Sequence, residues 1–214
     1  MDCIILAGGK GTRMGEGPPK PLVVAQGKTI LDRQINYFND KVENIIVSLG
    51  HRGDEVVEHL KKEHADKNVT WVVEDEPLGT AGGLRLALGK TDADKIVVLN
   101  CDDIADVDLK KLEKQDDPTI CVAHPRLPFG LVEEHAGHAK FTEKPLLDLY
   151  SSMGWYTFKT KDILSLLPTS GMLEYDVFPN MKLRVHHHEG FWRSLNLKKD
   201  VTAFEDEELP LALR

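Results

Sequence analysis

Four apolar runs in the first half of the chain, "CIIL", "NIIVSL", "TWVV" and "KIVVL", are separated by segments with helical spacing. That alternation constrains the fold more than anything else in the sequence. The runs are near-continuous Val, Ile and Leu, which suits strands covered on both faces. The intervening segments, "TILDRQINYFND", "GDEVVEHLKKEH" and "GTAGGLRLALGK", read as helices, and Thr29 is a natural N-cap for the first. Short strand–helix–strand connections imply βαβ units, hence an α/β fold with a doubly wound, mostly parallel sheet.

After residue 115 the rhythm changes. "PTICVAH" reads as a strand, and "FGLVEEHAGHAKFTEKP" as two strands joined by a turn at Gly137. "GWYTFKTKDILSLLP" reads as a strand running into a helix, "KLRVHHHEGFW" as a strand and "KKDVTAFEDEELP" as a closing helix. The chain is expected to form a single domain: residues 1–115 one half, 116–204 a second half flanking a cleft, and 205–214 an acidic tail.

The net charge of −8 argues against sequence-independent nucleic-acid binding, which needs a basic face. It leaves room for a nucleotide, because local cations can hold one phosphate chain. Cys3, Cys101 and Cys121 lie in or beside apolar runs, form no CxxC pair, and suit a reducing compartment. No stretch is long and apolar enough to span a membrane, and no basic segment precedes a long apolar one at the N-terminus. The expectation is a soluble, cytoplasmic protein. Whether it forms a homo-oligomer is left open.

The loop after the first strand, "LAGGKGTRMGEGPPKPL", carries the chemistry. In an open α/β sheet, ligands bind beyond the carboxyl ends of the strands. Gly8, Gly9 and Gly11 allow backbone N–H groups to approach phosphate oxygens. Arg13 adds a planar fork, and Lys20, between Pro19 and Pro21, adds a compact charge on a stiffened backbone. Two better-known loops do not apply. The GxGxxG fingerprint would need glycine where Met14 stands, and a P-loop ending at "GKT" would need glycine at Leu22.

"GGKGTRM" followed by "PKP" resembles the signature of the sugar-phosphate nucleotidyltransferases, also called nucleotide-sugar pyrophosphorylases. The resemblance continues in order through "EDEPLGTAGGLRLAL", "VVLNCDD", "FTEKP", "GMLEYDVFPNM" and "GFWRSLNLKKD". It implies the Rossmann-like nucleotide-diphospho-sugar transferase fold with a small sugar-side β flank. It also implies joining of a nucleoside triphosphate and a sugar 1-phosphate, with release of pyrophosphate and Mg²⁺ as cofactor. By the same resemblance Arg13 and Lys20 are catalytic. Leu6, Gly8, Gly9, Gly11, Thr12, Glu74, Gly79 and Thr80 bind the nucleotide, and Gly130, Glu143, Lys144 and Glu174 bind the sugar phosphate. Asp102 and Asn196 are the implied metal ligands.

Three departures qualify the transfer. The family's glycine before the metal aspartate is Cys101, and a one-residue slip would make Asp103 the ligand. The second metal position, where relatives carry an acid, reads Trp192-Arg193-Ser194-Leu195-Asn196, so Ser194 and Asn196 are both neutral. Asparagine can still coordinate through its carbonyl oxygen, with one negative charge fewer on the ion. Too few residues follow the closing helix for the left-handed β-helix that some relatives carry, so acyl transfer is not expected.

A carboxylate only accepts hydrogen bonds, and guanine presents N1–H and N2–H₂ side by side. Glu74 therefore leans the reading toward GTP, and the resemblance of "EDEPLGTAGG" and "DVDLKKL" to guanylyltransferases implies guanylyl transfer onto a mannose- or heptose-type 1-phosphate. Cytidylyl, uridylyl or thymidylyl transfer onto a glucose-type 1-phosphate is the alternative, as is a nucleotide-sugar-binding regulatory subunit with weak turnover. Adjacent residues of a strand face opposite sides, so His186, His187 and His188 are expected to be ordinary strand residues rather than one metal site. His59 and His64 are five apart, off the i, i+4 spacing of a helical metal pair, and receive no role.

Overall fold

The computed structural model describes residues Met1–Arg214. Strand β1 (Asp2–Ala7) leads through the glycine loop and a short ribbon, β2 (Val24–Ala25) and β3 (Lys28–Thr29), into helix α1 (Ile30–Phe38). Then follow β4 (Ile45–Leu49), α2 (Gly53–Glu63), β5 (Val69–Val73), α3 (Gly79–Ala87) and β6 (Lys95–Asn100). β7 (Asp103–Ala105), α4 (Leu109–Glu113) and β8 (Thr119–Ala123) precede the hairpin β9 (Leu131–His135) and β10 (His138–Thr142). The chain closes with β11 (Ser151–Lys159), α5 (Thr160–Leu166), β12 (Arg184–His187), β13 (Trp192–Ser194) and α6 (Lys198–Phe204).

Seven strands form one sheet in the order β12-β8-β11-β6-β1-β4-β5. β1 pairs in parallel with β4 and β6, β4 with β5, and β8 with β12. Only β11 runs antiparallel, wedged between β6 and β8. The second half shares the sheet of the first: β8, β11 and β12 extend it, while the β9–β10 hairpin and the β13–β7 pair lie outside it. Sequence alternation could not show this, because a strand's period says nothing about its partner.

The strands alternate between two cores, as their period of two requires. Cys3, Ile5, Val47, Val97 and Leu99 face a larger cluster with Leu31, Ile35 and Phe38 of α1 and Val56 and Leu60 of α2. Ile4, Ile46, Ile96 and Val98 face a smaller cluster under α3 and α5, with Ala81, Leu84 and Ile163. α1 starts where the Thr29 side chain accepts the Asp32 N–H at 2.9 Å, a cap that stabilises a helix by about 1 kcal/mol. All three cysteines are buried, and burial pushes the Cys121 thiol up to about 12. The last ten residues are more than an acidic tail: Leu209 and Leu213 are buried against the α1 side, and the buried Arg33 guanidinium donates to the Leu213 and Ala25 carbonyls.

After β5 the chain crosses from one flank of β1 to the other, so that β6 lies beside β1 opposite β4. This reversal opens a crevice beyond the carboxyl ends of β1 and β6. The glycine loop follows β1 and Asp102 follows β6, so the topology brings together two segments almost ninety residues apart.

Candidate active site

The crevice is an open cleft of about 850 Å³. Its walls include Leu6, Gly8, Gly9, Gly11, Thr12, Arg13 and Lys20 from the first loop, and Glu74, Gly79 and Thr80 from the loop after β5. Asp102, Glu174 and Asn196 complete it from three further segments. The first loop keeps its backbone free for a ligand. A side chain at Gly9 would meet nothing within 4 Å, so that space belongs to no other part of the protein.

Charge is concentrated at the cleft floor. The Lys20 ammonium is held by the Asp102 carboxylate and lies 3.4 Å from Asn196 Oδ1. Arg13 donates to the same Asn196 oxygen at 3.0 Å. Lys20 and Asp102 have side chains only 15% and 17% exposed, so water screens this pair weakly. Asn196 is itself fixed: its amide donates to Ser194 Oγ at 2.7 Å, and its backbone N–H to Asp200 at 3.0 Å. Asp102 and Asn196 thus converge on one cation, the Lys20 ammonium. An ionised carboxylate and an amide oxygen meeting on a single positive charge also fit a hard divalent ion completed by phosphate oxygens.

Asp103 turns the other way. It lines the cleft as well, but its carboxylate accepts from Asn100 Nδ2 at 3.3 Å and Trp192 Nε1 at 3.2 Å. Burial, reinforced by the charge of Asp102, pushes the Asp103 carboxyl up, against hydrogen bonds from Ser194, Trp192 and Asn100. The geometry therefore favours Asp102 over Asp103 as the group facing a ligand. It likewise assigns Ser194 to holding Asn196 rather than to the cleft floor's cation.

The Glu74 wall depends on two glycines. A Cβ at Gly8 would lie 2.9 Å from Glu74 Oε1, and one at Gly83 only 2.6 Å away. Glu74 Oε2 accepts the Leu78 N–H at 3.0 Å. Burial pushes the Glu74 carboxyl above its usual range, with the Leu78 N–H opposing the shift. α3 begins at Gly79 with φ of 73°, where a Cβ would collide with the Gly171 carbonyl. That close approach lets the 171–174 segment dock on α3: Leu173 N donates to Thr80 Oγ1 at 2.8 Å, and Thr80 donates to Glu174 at 3.2 Å.

Gly130, Glu143 and Lys144 do not line the cleft. They belong to the β9–β10 hairpin region, whose strands pair only with each other and are exposed nearly throughout. Glu143 and Lys144 are both 61% exposed, and their charges lie 4.0 Å apart. Gly130 packs beneath the Phe141 ring. The "TEKP" segment thus stands outside the cleft, on a hairpin whose base is joined by the antiparallel Arg126–Leu146 bridge between the ends of β8 and β11. His186 and His187 lie in β12 and His188 just follows it: His187 meets the Tyr150 ring edge-on with centroids 4.4 Å apart, and His188 bonds the Phe191 carbonyl at 3.0 Å.

Several supporting residues escaped the sequence reading. Gln34 of α1 is buried and donates to the Cys101 carbonyl at 2.9 Å and the Asp103 carbonyl at 3.2 Å, bracketing Asp102. Trp155 Nε1 donates to the Asp103 carbonyl at 2.9 Å. Ser48 lines the cleft and donates to Gly83 O at 3.1 Å. The available signals were a glutamine on the apolar face of α1 and a serine inside "IIVSL". Buried polar groups of this kind need a partner.

Known proteins share these features. The pattern of the MobA-like NTP transferase domain matches residues 3–128. A mannose-1-phosphate guanyltransferase of Gibberella zeae is 35% identical over 229 residues, covering 94% of this chain and 62% of its own length. The Saccharomyces cerevisiae protein of that name is 31% identical over 233 residues, with the same two shares. The chain therefore spans about three fifths of the length of these relatives. HddC from Yersinia pseudotuberculosis, complexed with GMP-PN, superposes with a TM-score of 0.80 at 25% identity, covering 96% of this chain and 98% of its own. A second HddC structure gives 0.79 at 27%. The matched span holds both the glycine loop and Asp102, so that the strand ends framing the cleft and the family pattern coincide: the chain belongs to the MobA-like NTP transferase family.

Proposed function

We propose that this protein transfers a guanylyl group from GTP to a mannose- or heptose-type sugar 1-phosphate, releasing pyrophosphate. A phosphate oxygen of the sugar 1-phosphate attacks the α-phosphorus in line. The bond from that phosphorus to the bridging oxygen breaks, and pyrophosphate leaves with the electron pair. Such a transfer needs positioning and charge neutralisation rather than covalent help from the protein.

The first-loop backbone from Gly8 to Thr12 cradles the triphosphate, and Arg13 holds its β- and γ-phosphates. Lys20 leaves Asp102 to neutralise the α-phosphate and the incoming sugar phosphate. Asp102 and Asn196 would hold Mg²⁺, which when bound neutralises phosphate charge. Glu74 accepts from the guanine N1–H and N2–H₂ edge, at the far wall from Lys20. Glu174, bonded to Thr80, faces the sugar.

One observation carries this reading: Lys20, Arg13, Asp102 and Asn196 meet at one point beneath a glycine loop whose upper face is open. The names of the relatives, guanyltransferases acting on mannose 1-phosphate, and the GMP-PN ligand of HddC support the choice of base and sugar class. No helix of the chain is long and apolar enough to cross a membrane, consistent with substrates taken from water.

A matrix of NTPs against sugar 1-phosphates, scored by pyrophosphate release with Mg²⁺, tests the proposal. GTP with a mannose- or heptose-type 1-phosphate should give the fastest release. Fastest release with CTP, UTP or dTTP and glucose 1-phosphate would replace the proposed specificity. Nucleotide-sugar binding with no release from any pair would make the chain a binding subunit, as the neutral Ser194 and Asn196 allow.

A further inference from the structure

We propose a second cation site, for a zinc-class transition metal, where Asp32, His59 and His64 clasp α1 to the end of α2. The cluster lies outside the cleft. His59 Nε2 is 2.7 Å from Asp32 Oδ1, and His64 Nε2 is 2.6 Å from the same oxygen. The three ligand atoms all lie within 4.8 Å of one another.

Helical spacing alone cannot produce this meeting. Five residues of regular helix carry a side chain about 140° around the axis. His64, however, is the C-cap of α2, with φ of −133° and ψ of 25°. Its backbone has left the helix, and the break swings the ring back toward His59, to a centroid separation of 6.1 Å. The pair is thus assembled by a helix end, which is why an i, i+4 rule overlooks it.

Three features favour a metal over a hydrogen-bonded cluster alone. Two imidazoles and one carboxylate are the donor set of zinc sites that keep a position open for water. Tetrahedral ligands at about 2.0–2.1 Å from zinc stand roughly 3.3 Å apart, so each histidine nitrogen needs to move from the Asp32 oxygen by less than about 1 Å. The His64 side chain is only 4% exposed, and its other nitrogen, Nδ1, is buried without a partner. What Nε2 meets is therefore the ring's sole polar anchorage. His59 and Asp32 are 20% and 18% exposed, which leaves an entry for the ion and its water.

The local field also suits a cation. The carbonyl end of α2 carries partial negative charge beside His64. Glu63 lies near enough for its charge to be felt with those of His59 and Asp32. One Asp32 oxygen, Oδ1, lies within hydrogen-bond distance of both rings, so the carboxylate already draws the two imidazoles together. Mg²⁺, which prefers oxygen, is expected to avoid this site. The same helix α1 carries Gln34, whose amide brackets Asp102, so a metal here would brace the helix behind the cleft floor.

The test is equilibrium binding of Zn²⁺ to the full chain, with Co²⁺ absorption reporting coordination. The wild type should bind one equivalent at this site, and Asp102→Asn should retain it. His59→Gln should bind at least about a hundredfold more weakly, since even outer-shell losses cost 10–100-fold. With zinc at a hundredfold excess over its Kd, the wild-type Tm should rise by roughly 5 to 10 °C. The rise should vanish in His59→Gln, whose circular dichroism should match the wild type. Absence of zinc binding by the wild type, or equal binding by wild type and His59→Gln, would overturn the proposal.

Discussion

Two carboxylate–ammonium pairs, one at the cleft floor and one on the hairpin outside it, sit in very different surroundings. On the β1–β6 side, Lys20 and Asp102 are 15% and 17% exposed and belong to a cluster drawn from three segments of chain, the first loop, Asp102 and Asn196. On the β9–β10 side, Glu143 and Lys144 are 61% exposed and touch chiefly each other. Both pairs put a carboxylate beside an ammonium. The difference is the sheet. Strands in the sheet bury the backbone that positions the first pair, whereas an unsupported hairpin leaves the second in water. An interaction between charges gains strength as water is removed, so the first pair should dominate function and the second should not.

Substitutions can break that contrast. Lys20→Ala should lower kcat/KM for pyrophosphate release by about 10²–10³-fold, the usual cost of removing one stabilising group from a reacting phosphate or oxyanion. Unchanged circular dichroism would show that the fold survives. Glu74→Gln should cost less in rate but erode the preference for GTP over ATP by about 10–100-fold, because an amide cannot accept from both guanine donors. A competition assay with the two triphosphates would read this directly.

The same variant has a stability signature. The Glu74 pKa is raised in the folded chain, chiefly by burial. Its contribution to stability is therefore fully present below the unfolded carboxyl value, about 4.3, and is lost as pH rises through the folded value. Glu74→Gln should gain stability relative to the wild type at neutral pH, and that gain should disappear in acid. Thermal melts of both proteins across this range would show it.

Gln34→Leu should reduce turnover by about tenfold or more with little change in nucleotide affinity, since it releases the carbonyls that bracket Asp102. Lys144→Ala should have the smallest effect. Affinity for GTP should be unchanged, and turnover should stay within about threefold, the range of an exposed ion pair. A loss there as large as that of Lys20→Ala would erase the contrast between the two sides.

The strand–helix alternation made the parallel half legible because each element's period reflects its own burial. Thr29 announced α1 through a local bond that needs no partner element. The glycine loop and Asp102 were legible because their chemistry requires particular residue types at strand ends. What stayed hidden depended on distant pairing. β11 enters the sheet antiparallel, and nothing in "GWYTFK" encodes which neighbours it meets. The tail's charge concealed Leu209 and Leu213, which are buried. The different settings of Asp102 and Asp103 were equally hidden, because Trp192 and Asn100 bond Asp103 from distant parts of the chain or across a turn. The exposure of Glu143 and Lys144 was likewise hidden, because it is a property of the hairpin's surroundings and not of "TEKP" itself.

The central claim is that Lys20 stands in the place of a cation between Asp102 and Asn196 and is released toward the nucleotide. A crystal structure with Mg²⁺ and a non-hydrolysable GTP analogue tests it most directly. The account predicts the triphosphate along Gly8–Arg13, the Lys20 ammonium on the α-phosphate, and the metal ion between Asp102 and Asn196. A nucleotide bound while Lys20 remains on Asp102, with the ion elsewhere, would contradict it.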